Sequence, residues 1–109
     1  MLKKSNKLKV YLTCPNDFVE QVKKAIWDAW GAKMWNYSYC FFVSDWKWYF
    51  TPEKWAHPNI WELWKAEIVD EKMIEFMCES DVIEQVVKEI KRVHPYEEIG
   101  IDIQELLEI

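Results

Sequence analysis

The chain repeats itself with an offset of 64 residues, and no other feature of the sequence restricts the fold as strongly. The offset aligns seven identical pairs: Cys14 with Cys78, Asp17 with Asp81, Glu20 with Glu84, Gln21 with Gln85, Val22 with Val86, Lys24 with Lys88 and Ile26 with Ile90. Each copy begins with alternating apolar residues, typical of a strand with one buried face, and continues with the apolar spacing of an amphipathic helix. Since 109 residues suffice for one domain core but not for two, both copies must share a single core.

The repeated segments predict the order strand, helix, strand, twice over. The first strands are predicted over 8–14 and 73–78, and each leads into an Asp-x-x-Glu sequence whose early acid can cap a helix. The second strands are predicted over 37–43 and 99–104. This order is typical of a ferredoxin-like α+β sandwich, in which two helices cover one face of a four-stranded antiparallel sheet.

Two further boundaries complete the predicted organisation. Residues 1–6 are expected to be a flexible N-terminus, and residues 7–109 a single domain. Residues 46–50 predict an extra hairpin arm that pairs with the second strand across a turn at Ser44 and Asp45.

The two helices leave one face of the predicted sheet uncovered, and this face is apolar. Alternation places five side chains there: Tyr11, Thr13, Phe42, Met73 and Met77. A soluble monomer rarely leaves such a surface in water. Either the Trp-rich segment 51–64 folds back over it, or it is an interface between copies of the chain, which we favour for so small a domain.

Charge and cysteine content exclude several classes of protein. With 14 basic and 19 acidic side chains the net charge is -5, so nucleic acid is not an expected partner. No apolar run approaches the roughly 20 residues of a membrane span. Three cysteines without close spacing predict neither a disulfide framework nor a metal knuckle, which fits a reducing cytoplasm.

The cysteines have expected positions in the fold. Cys14 and Cys78 end the two repeat-related strands, and we expect their side chains to approach each other on the helix-facing side as core residues, rather than as a redox or soft-metal site. Cys40 should point to the other face.

From Lys7 onward the chain resembles the small PII-like domain inserted in YqfO proteins, the Nif-three-like family, and more distantly CutA and PII proteins. Three blocks carry the resemblance, and their matching residues are Gly31, Asn36, Tyr37, Cys40 and Phe42 after the first helix, Phe50, Pro52, Ala56 and Pro58 further on, and the intact His94, Pro95, Tyr96, Glu97 and Glu98 after the second helix. Trp35, Trp55 and Trp61 stand where the family tends to have glycines, so we expect those loop backbones not to need positive φ.

The resemblance implies a PII/CutA-type fold that assembles as a trimer with the sheet faces turned inward. In YqfO proteins this domain caps a dinuclear metal centre whose ligands lie in the flanking main domain. The present sequence resembles a stand-alone version without that domain, so the family's metal site is not carried over and an enzyme is not expected. No phosphate loop, HExxH or nucleophile elbow occurs in the sequence either.

The His-Pro-Tyr-Glu-Glu block holds the candidate metal ligands. His94, Glu97 and Glu98 could bind a divalent metal, completed by His57 or by a carboxylate of a neighbouring subunit. Alternatively, His94 ends the second helix as a structural residue, where a histidine interacts favourably with the helix dipole. We favour this structural reading.

The remaining candidates are aromatic or belong to the family blocks. The segment 46–64 contains Trp46, Trp48, Tyr49, Phe50, Trp55, Trp61 and Trp64. These residues could stack on a ligand, or they could pack in an interface, which we favour. The residues singled out as ligand or interface candidates are Asn36, Tyr37, Cys40, Trp55, Trp61 and Tyr96.

The sequence therefore predicts a non-enzymatic, cytoplasmic, oligomeric module that binds a small ligand or divalent metal near His94, Glu97 and Glu98. The alternative is a protein-interaction module that uses the Trp-rich loop 46–64 and has no ligand of its own.

Overall fold

The computed structural model describes residues 1–56 and 61–109. Along the chain the elements are β1 (Lys3–Pro15), a 3-10 turn (Asn16–Phe18), α1 (Val19–Asp28), β2 (Phe42–Phe50), β3 (Glu67–Glu79), a second 3-10 turn (Ser80–Val82), α2 (Ile83–Val93) and β4 (Ile101–Glu108). The strands form one antiparallel sheet in the order β2-β3-β1-β4. The predicted ferredoxin-like α+β sandwich is confirmed.

The core lies between the two helices and one face of the sheet. Alternate residues of β1 and β3 point into it and meet the apolar stripes of α1 and α2. The buried members of this cluster include Val10, Leu12, Ile74, Phe76, Val22, Ile26, Val86 and Ile90. In the part of the chain that the structure describes, no helix combines the length and the apolar character that crossing a membrane demands.

The pairing of β1 with β3 corrects the expected position of the cysteines. Cys14 and Cys78 are both buried, as expected for core residues. Cys14, however, lies opposite Lys72, whereas Cys78 lies opposite Leu8. Because the repeat-related strands run antiparallel, equivalent positions fall at opposite ends, and the two thiols are separated by about 20 Å at the usual rise per residue.

The second strand begins later than the sequence predicted. Residues 42–50 form one continuous strand, β2, that pairs with β3 from Phe42 opposite Glu75 to Phe50 opposite Glu67. The predicted turn at Ser44 and Asp45 is therefore wrong, and residues 46–50 extend β2 itself. An arm does exist, because β3 pairs with β1 only from Glu71 onward, and residues 67–70 have β2 alone as a described strand neighbour.

The N-terminal segment is ordered earlier than expected. β1 begins at Lys3, which pairs with Glu108 of β4, and Ser5 is buried. The Ser5 side-chain oxygen accepts a hydrogen bond from the Lys7 backbone N–H at an irregularity between Lys4 and Leu8. β1 therefore includes most of the segment 1–6, and β4 extends the sheet to pair with it.

The helix ends also differ from expectation. Neither α1 nor α2 has a side-chain hydrogen bond at its N-cap, so the early acids do not cap, and each helix is entered through a 3-10 turn. α1 ends in a Schellman motif: the Gly31 N–H bonds the Ile26 carbonyl oxygen at 2.9 Å and the Trp30 N–H bonds that of Trp27 at 3.0 Å. The left-handed position of this motif is held by Trp30, with φ 74°.

Positive φ also occurs where the sequence led us to exclude it. Trp35, which stands where the resembled family tends to have glycine, has φ 52°. The expectation that this loop would not need positive φ is therefore wrong. Gly31 is required for another reason, since a Cβ there would lie 2.8 Å from the Ile26 Cγ2 atom.

The sheet face opposite the helices is only partly covered. Tyr11, Thr13, Met73 and Met77 are half-buried. Phe42, on the same face by its pairing with Glu75, keeps 62% of its surface exposed. The predicted apolar side chains thus share this face with the ion pair of Lys9 and Glu75.

Candidate functional site

A cavity of about 240 Å³ lies where β2 and β3 extend past the end of β1. Three separate segments line it: the end of β2, the connection that follows β2, and the segment after α2. Its lining residues are Trp48, Phe50, Thr51, Pro52, Glu53, Ala56, Trp61, Pro95, Tyr96, Glu97 and Glu98. The His-Pro-Tyr-Glu-Glu block and the Trp-rich segment therefore meet at one site.

Four half-buried aromatic rings, which we call the aromatic wall, form one side of this cavity. Trp48 and Phe50 are two residues apart on β2, so they share a face of the strand, and their rings stack with centroids 4.0 Å apart. Trp61 packs edge-on against Phe50 at 4.5 Å and lies 4.8 Å from Tyr96. Tyr96 lies 5.2 Å from Trp48, which completes the aromatic wall. The contacts at 4.5, 4.8 and 5.2 Å lie in the range of favourable aromatic pairs, so the wall is a packed unit.

Behind the aromatic wall, the Tyr96 hydroxyl donates a short hydrogen bond to the Glu71 carboxylate. Glu71 is on β3 and only 2% exposed. Its Oε1 atom is buried and has no hydrogen-bond partner among the residues that the structure describes. Burial, and then the bond to Glu71, raise the pKa of Tyr96, so the phenol stays protonated and remains the donor.

His94 supports the turn that presents Tyr96 to the cavity. It follows the last residue of α2, and its Nε2 atom lies 2.8 Å from the Thr13 carbonyl oxygen, which can only accept a hydrogen bond. The Nδ1 atom accepts the Tyr96 backbone N–H at 3.2 Å. Burial lowers the pKa of His94, which favours the neutral ring with its proton on Nε2.

This geometry bears directly on the predicted metal ligands. A histidine binds metal through a ring nitrogen lone pair, and both ring nitrogens of His94 are already engaged. Glu97 and Glu98 are exposed at the cavity, and His57 lies outside the described residues. Within residues 1–56 and 61–109, no group of three metal-binding side chains comes together. The structural role of His94 is therefore the one its contacts favour.

The other predicted site residues are divided between the two ends of the sheet. Trp61 and Tyr96 reach the cavity, but Trp55 is 80% exposed, does not line it, and has the Lys54 ammonium 5.0 Å from its ring centroid. Asn36, Tyr37 and Cys40 lie in the connection between α1 and β2. The structure does not bring them to the cavity.

That connection is anchored at the opposite end of β3. The Cys40 N–H bonds the Ala32 carbonyl oxygen, and the Ala32 N–H bonds that of Met77. Met77 is six residues from Glu71 along the strand, which corresponds to about 20 Å.

Sequence reasoning missed Glu71 as a member of the site and treated Trp48 and Phe50 only as parts of a longer aromatic segment. The alternation of Trp48 with Phe50 along a strand could have indicated that they share a face. Glu71 carried no comparable signal, because its burial depends on Tyr96, 25 residues further along the chain.

The thiols of Cys14 and Cys78 are those of core residues rather than of nucleophiles. Burial, with a smaller contribution from Glu71, raises the pKa of Cys14 to about 12. Burial, followed by Glu79 and Asp81, raises the pKa of Cys78 to about 11. A thiol with so high a pKa is protonated at neutral pH and unreactive.

Comparison with solved structures defines the class of protein. The chain superposes on the periplasmic divalent cation tolerance protein CutA of Archaeoglobus fulgidus with a TM-score of 0.64 and 21% identity, covering 89% of this chain and 80% of the other. CutA1 of Pyrococcus horikoshii gives a TM-score of 0.66 at 21% identity, with coverage of 91% and 82%. The chain is therefore an α+β domain with the CutA fold.

Closer relatives narrow the assignment, although no protein-family model matches the chain. A Bacillus cereus protein related to NIF3 superposes with a TM-score of 0.81 and 30% identity over 95% of this chain and 26% of its own. The GTP cyclohydrolase 1 type 2 homolog of Staphylococcus epidermidis is 38% identical over 89 residues, which is 82% of this chain and 24% of the relative. The GTP cyclohydrolase 1 type 2 homolog of Bacillus subtilis is 35% identical over 97 residues, which is 89% of this chain and 26% of the relative.

These matches confirm the relationship to the NIF3/YqfO family. The chain corresponds to one region of those proteins and spans about a quarter of the length of the relatives it matches.

Proposed function

We propose that this chain is a non-enzymatic module that binds a small ligand in the cavity beside Tyr96. The observation that carries the proposal is the convergence of Trp48, Phe50, Trp61 and Tyr96 on one cavity from three separate segments. An apolar concave site with a few polar groups at its rim is the usual form of a small-molecule site.

The groups beside the cavity favour binding over catalysis. Both ring nitrogens of His94 are committed to hydrogen bonds, and the Tyr96 hydroxyl is committed to Glu71 with a raised pKa. General acid–base catalysis needs a group that can exchange a proton near the operating pH. The relatives are named GTP cyclohydrolase 1 type 2 homologs, but the chain matches only about a quarter of their length, and no activity is transferred from that name.

The proposal is tested by a ligand screen read out by intrinsic tryptophan fluorescence and by thermal shift. Trp61→Ala removes part of the aromatic wall and is expected to abolish the response to any ligand that binds the wild type. Trp55→Ala is the matched control, because Trp55 is in the same connection but does not line the cavity. A ligand that binds equally well to Trp61→Ala and wild type would place its site elsewhere and contradict the proposal.

We also propose that copies of the chain associate through the sheet face opposite the helices. Support comes from Phe42, whose ring is 62% exposed beside the half-buried Met73 and Met77. Phe42→Glu is expected to shift the protein to a smaller species in light scattering. Tyr49→Glu is the control, because Tyr49 is exposed on the same strand but on the other face. Equal masses for Phe42→Glu and wild type would contradict the proposal.

The divalent-metal version of the proposal depends on Glu97 and Glu98 rather than on His94. Calorimetric titration with zinc distinguishes a site built on the glutamates from one built on His94. Zinc binding to the glutamates is lost in the Glu97→Gln, Glu98→Gln double variant and retained in His94→Ala. Loss of zinc binding in His94→Ala alone would show that the hydrogen bonds of the ring can be exchanged for a metal.

Exposed tryptophans favour a second candidate function, a protein-interaction module. Trp35, Trp55 and Trp64 are each largely exposed, and aromatic residues are enriched at protein interfaces. Under this function the ligand screen gives no thermal shift, and Trp55→Ala weakens partner binding more than Trp61→Ala does. A larger effect of Trp61→Ala than of Trp55→Ala would favour the ligand-binding function of the cavity.

A further inference from the structure

Resting on the proposed ligand site, we infer that the cavity accepts a small organic cation, such as an amine or a quaternary ammonium group on a short chain. The inference combines three properties of the cavity: the sign of the charge around it, the chemistry of its wall and its size.

Among the residues that the structure describes, the charged side chains that line the cavity are all acidic. Glu53, Glu97 and Glu98 supply three carboxylates, and the described lining residues include no Lys, Arg or His. The nearby His94 ring does not offset this charge, because burial lowers its pKa and so favours the neutral form. The Lys54 ammonium lies over the Trp55 ring, and Lys54 is not among the lining residues. An anion would be repelled here, and a cation attracted.

The aromatic wall suits an organic cation better than a metal ion. The faces of Trp, Tyr and Phe rings carry negative electrostatic potential and bind ammonium groups, and Trp is the strongest of the three. Two of the four rings are tryptophans, Trp48 and Trp61. A hard divalent cation needs several oxygen ligands, whereas the wall offers aromatic rings, and the carboxylates of Glu53, Glu97 and Glu98 are exposed.

The bond from Tyr96 to Glu71 strengthens this preference. A phenol that donates a hydrogen bond to a carboxylate gains electron density on its oxygen and ring, so the ring of Tyr96 becomes more attractive to a cation. Because Glu71 is buried behind the ring, water does not compete for this bond. Tyr96 is thereby fixed in position and polarised by the same contact.

The volume of the cavity limits the ligand. At about 240 Å³ it falls below the roughly 300–1,000 Å³ of sites for drug-sized molecules. A trimethylammonium group on a chain of two or three atoms is therefore a better fit than a nucleotide.

The test compares two probes of the same shape that differ in charge: choline and its uncharged carbon isostere, 3,3-dimethylbutan-1-ol. Binding is measured by tryptophan fluorescence and calorimetry on the full chain. We expect choline to bind at least about tenfold more tightly, and the difference to shrink as salt is added, because the carboxylates are exposed. Equal affinities, or a preference for the alcohol, would overturn the cation inference and leave the apolar ligand site standing. Failure of both probes to bind up to their solubility limits would overturn the inference, while the ligand screen with Trp61→Ala still decides the proposed function.

Variants separate the contribution of charge from that of the aromatic wall. The Glu97→Gln, Glu98→Gln double variant is expected to lower choline affinity and leave binding of the alcohol unchanged, whereas Trp61→Ala lowers both. The Glu105→Gln, Glu108→Gln double variant, on β4 and away from the cavity, removes the same number of charges and should match wild type. Equal loss of choline binding in the two double variants would show a general charge effect and contradict the site.

Discussion

The Nε2 atom of His94 lies 2.8 Å from the carbonyl oxygen of Thr13, so the residue that ends α2 is bonded to a residue near the end of β1, 81 positions earlier in the chain. This bond joins the residue after α2 to β1 at the end of the sheet where the cavity lies. The bond requires a proton on Nε2, and the bond that Nδ1 accepts from the Tyr96 backbone N–H requires that nitrogen to be unprotonated. The ring is therefore neutral, which is the form that burial favours.

We predict that the stability of the fold depends on His94 in mildly acidic solution. The folded-state pKa of His94 is lowered from its ordinary 6.5, so the unfolded chain binds more protons than the folded chain just below that pH. The contribution of His94 is therefore fully present above pH 6.5 and is lost as pH falls toward the lowered folded pKa. An NMR titration of the ring measures this pKa directly.

His94→Gln shows whether the pH dependence of stability comes from His94, because glutamine keeps a hydrogen-bond donor but does not titrate. The slope of unfolding free energy against pH just below 6.5 should be smaller in this variant than in wild type. A folded-state pKa above 6.5 would contradict the buried, neutral ring.

A second prediction concerns the bond between Tyr96 and Glu71. Tyr96→Phe removes the donor and leaves a buried carboxylate whose other oxygen, Oε1, already has no described partner. We expect a loss of about 1–3 kcal/mol in unfolding free energy, measured by urea denaturation. Tyr49→Phe removes the hydroxyl of an exposed tyrosine and should cost less than about 0.5 kcal/mol. Equal losses in the two variants would mean that the buried bond adds nothing.

The sequence predicted the duplicated core because this part depends on local patterns. The seven identical pairs and the apolar spacing recur in both copies, so the order of strands and helices followed. Two of these pairs, Val22 with Val86 and Ile26 with Ile90, are buried in the core. The position of β2, in contrast, was not predicted by these local patterns. The segment between Gly31 and Phe42 is fixed by distant contacts, such as the bond from Ala32 to Met77, which no periodicity reveals.

The candidate site could be predicted only in part. Tyr96, Glu97 and Glu98 stand together in one short block, and Trp61 belongs to a conspicuous aromatic segment. Their meeting with Glu71 depends on the register of β3 and on the end of β1 at Pro15. Register is a property of paired strands, and the sequence alone did not define it.

A third prediction follows from the end of α1. Trp30 occupies the left-handed position of the Schellman motif, which costs a residue other than glycine about 1–2 kcal/mol. Replacing Trp30 with glycine removes this cost, but the greater conformational entropy of glycine in the unfolded chain offsets about 0.5–1 kcal/mol of the stabilisation. Trp30→Gly is therefore expected to raise the unfolding free energy by about 0.5–1 kcal/mol.

The control for this change is Trp55→Gly, which removes an exposed tryptophan whose φ is not positive. It should lower stability or leave it unchanged. If Trp30→Gly destabilises as much as Trp55→Gly, packing of the Trp30 ring outweighs the relief of its backbone.

The fourth prediction concerns thiol reactivity. Cys14 and Cys78 are buried, with pKa values raised to about 12 and about 11. Native protein at neutral pH should therefore show one thiol that reacts readily with a thiol reagent, and the half-buried Cys40 should be that thiol. Cys40→Ser should remove the fast phase, whereas unfolding in denaturant should expose two further thiols. A fast phase that persists in Cys40→Ser would contradict the burial of the other two.

The antiparallel register between the repeat-related strands gives the molecule an approximate two-fold axis. Tyr11 pairs with Glu75, its own counterpart at an offset of 64, so the axis passes between these two residues and exchanges the two ends of the sheet. The cleft at the far end is lined by Lys7, Trp30, Lys33, Trp35 and Glu79. Lys33 is the counterpart of Glu97, and Trp30 that of His94. Among the described lining residues, the duplicated backbone therefore presents three carboxylates at one end and two lysines with one glutamate at the other, rather than two copies of a single binding site.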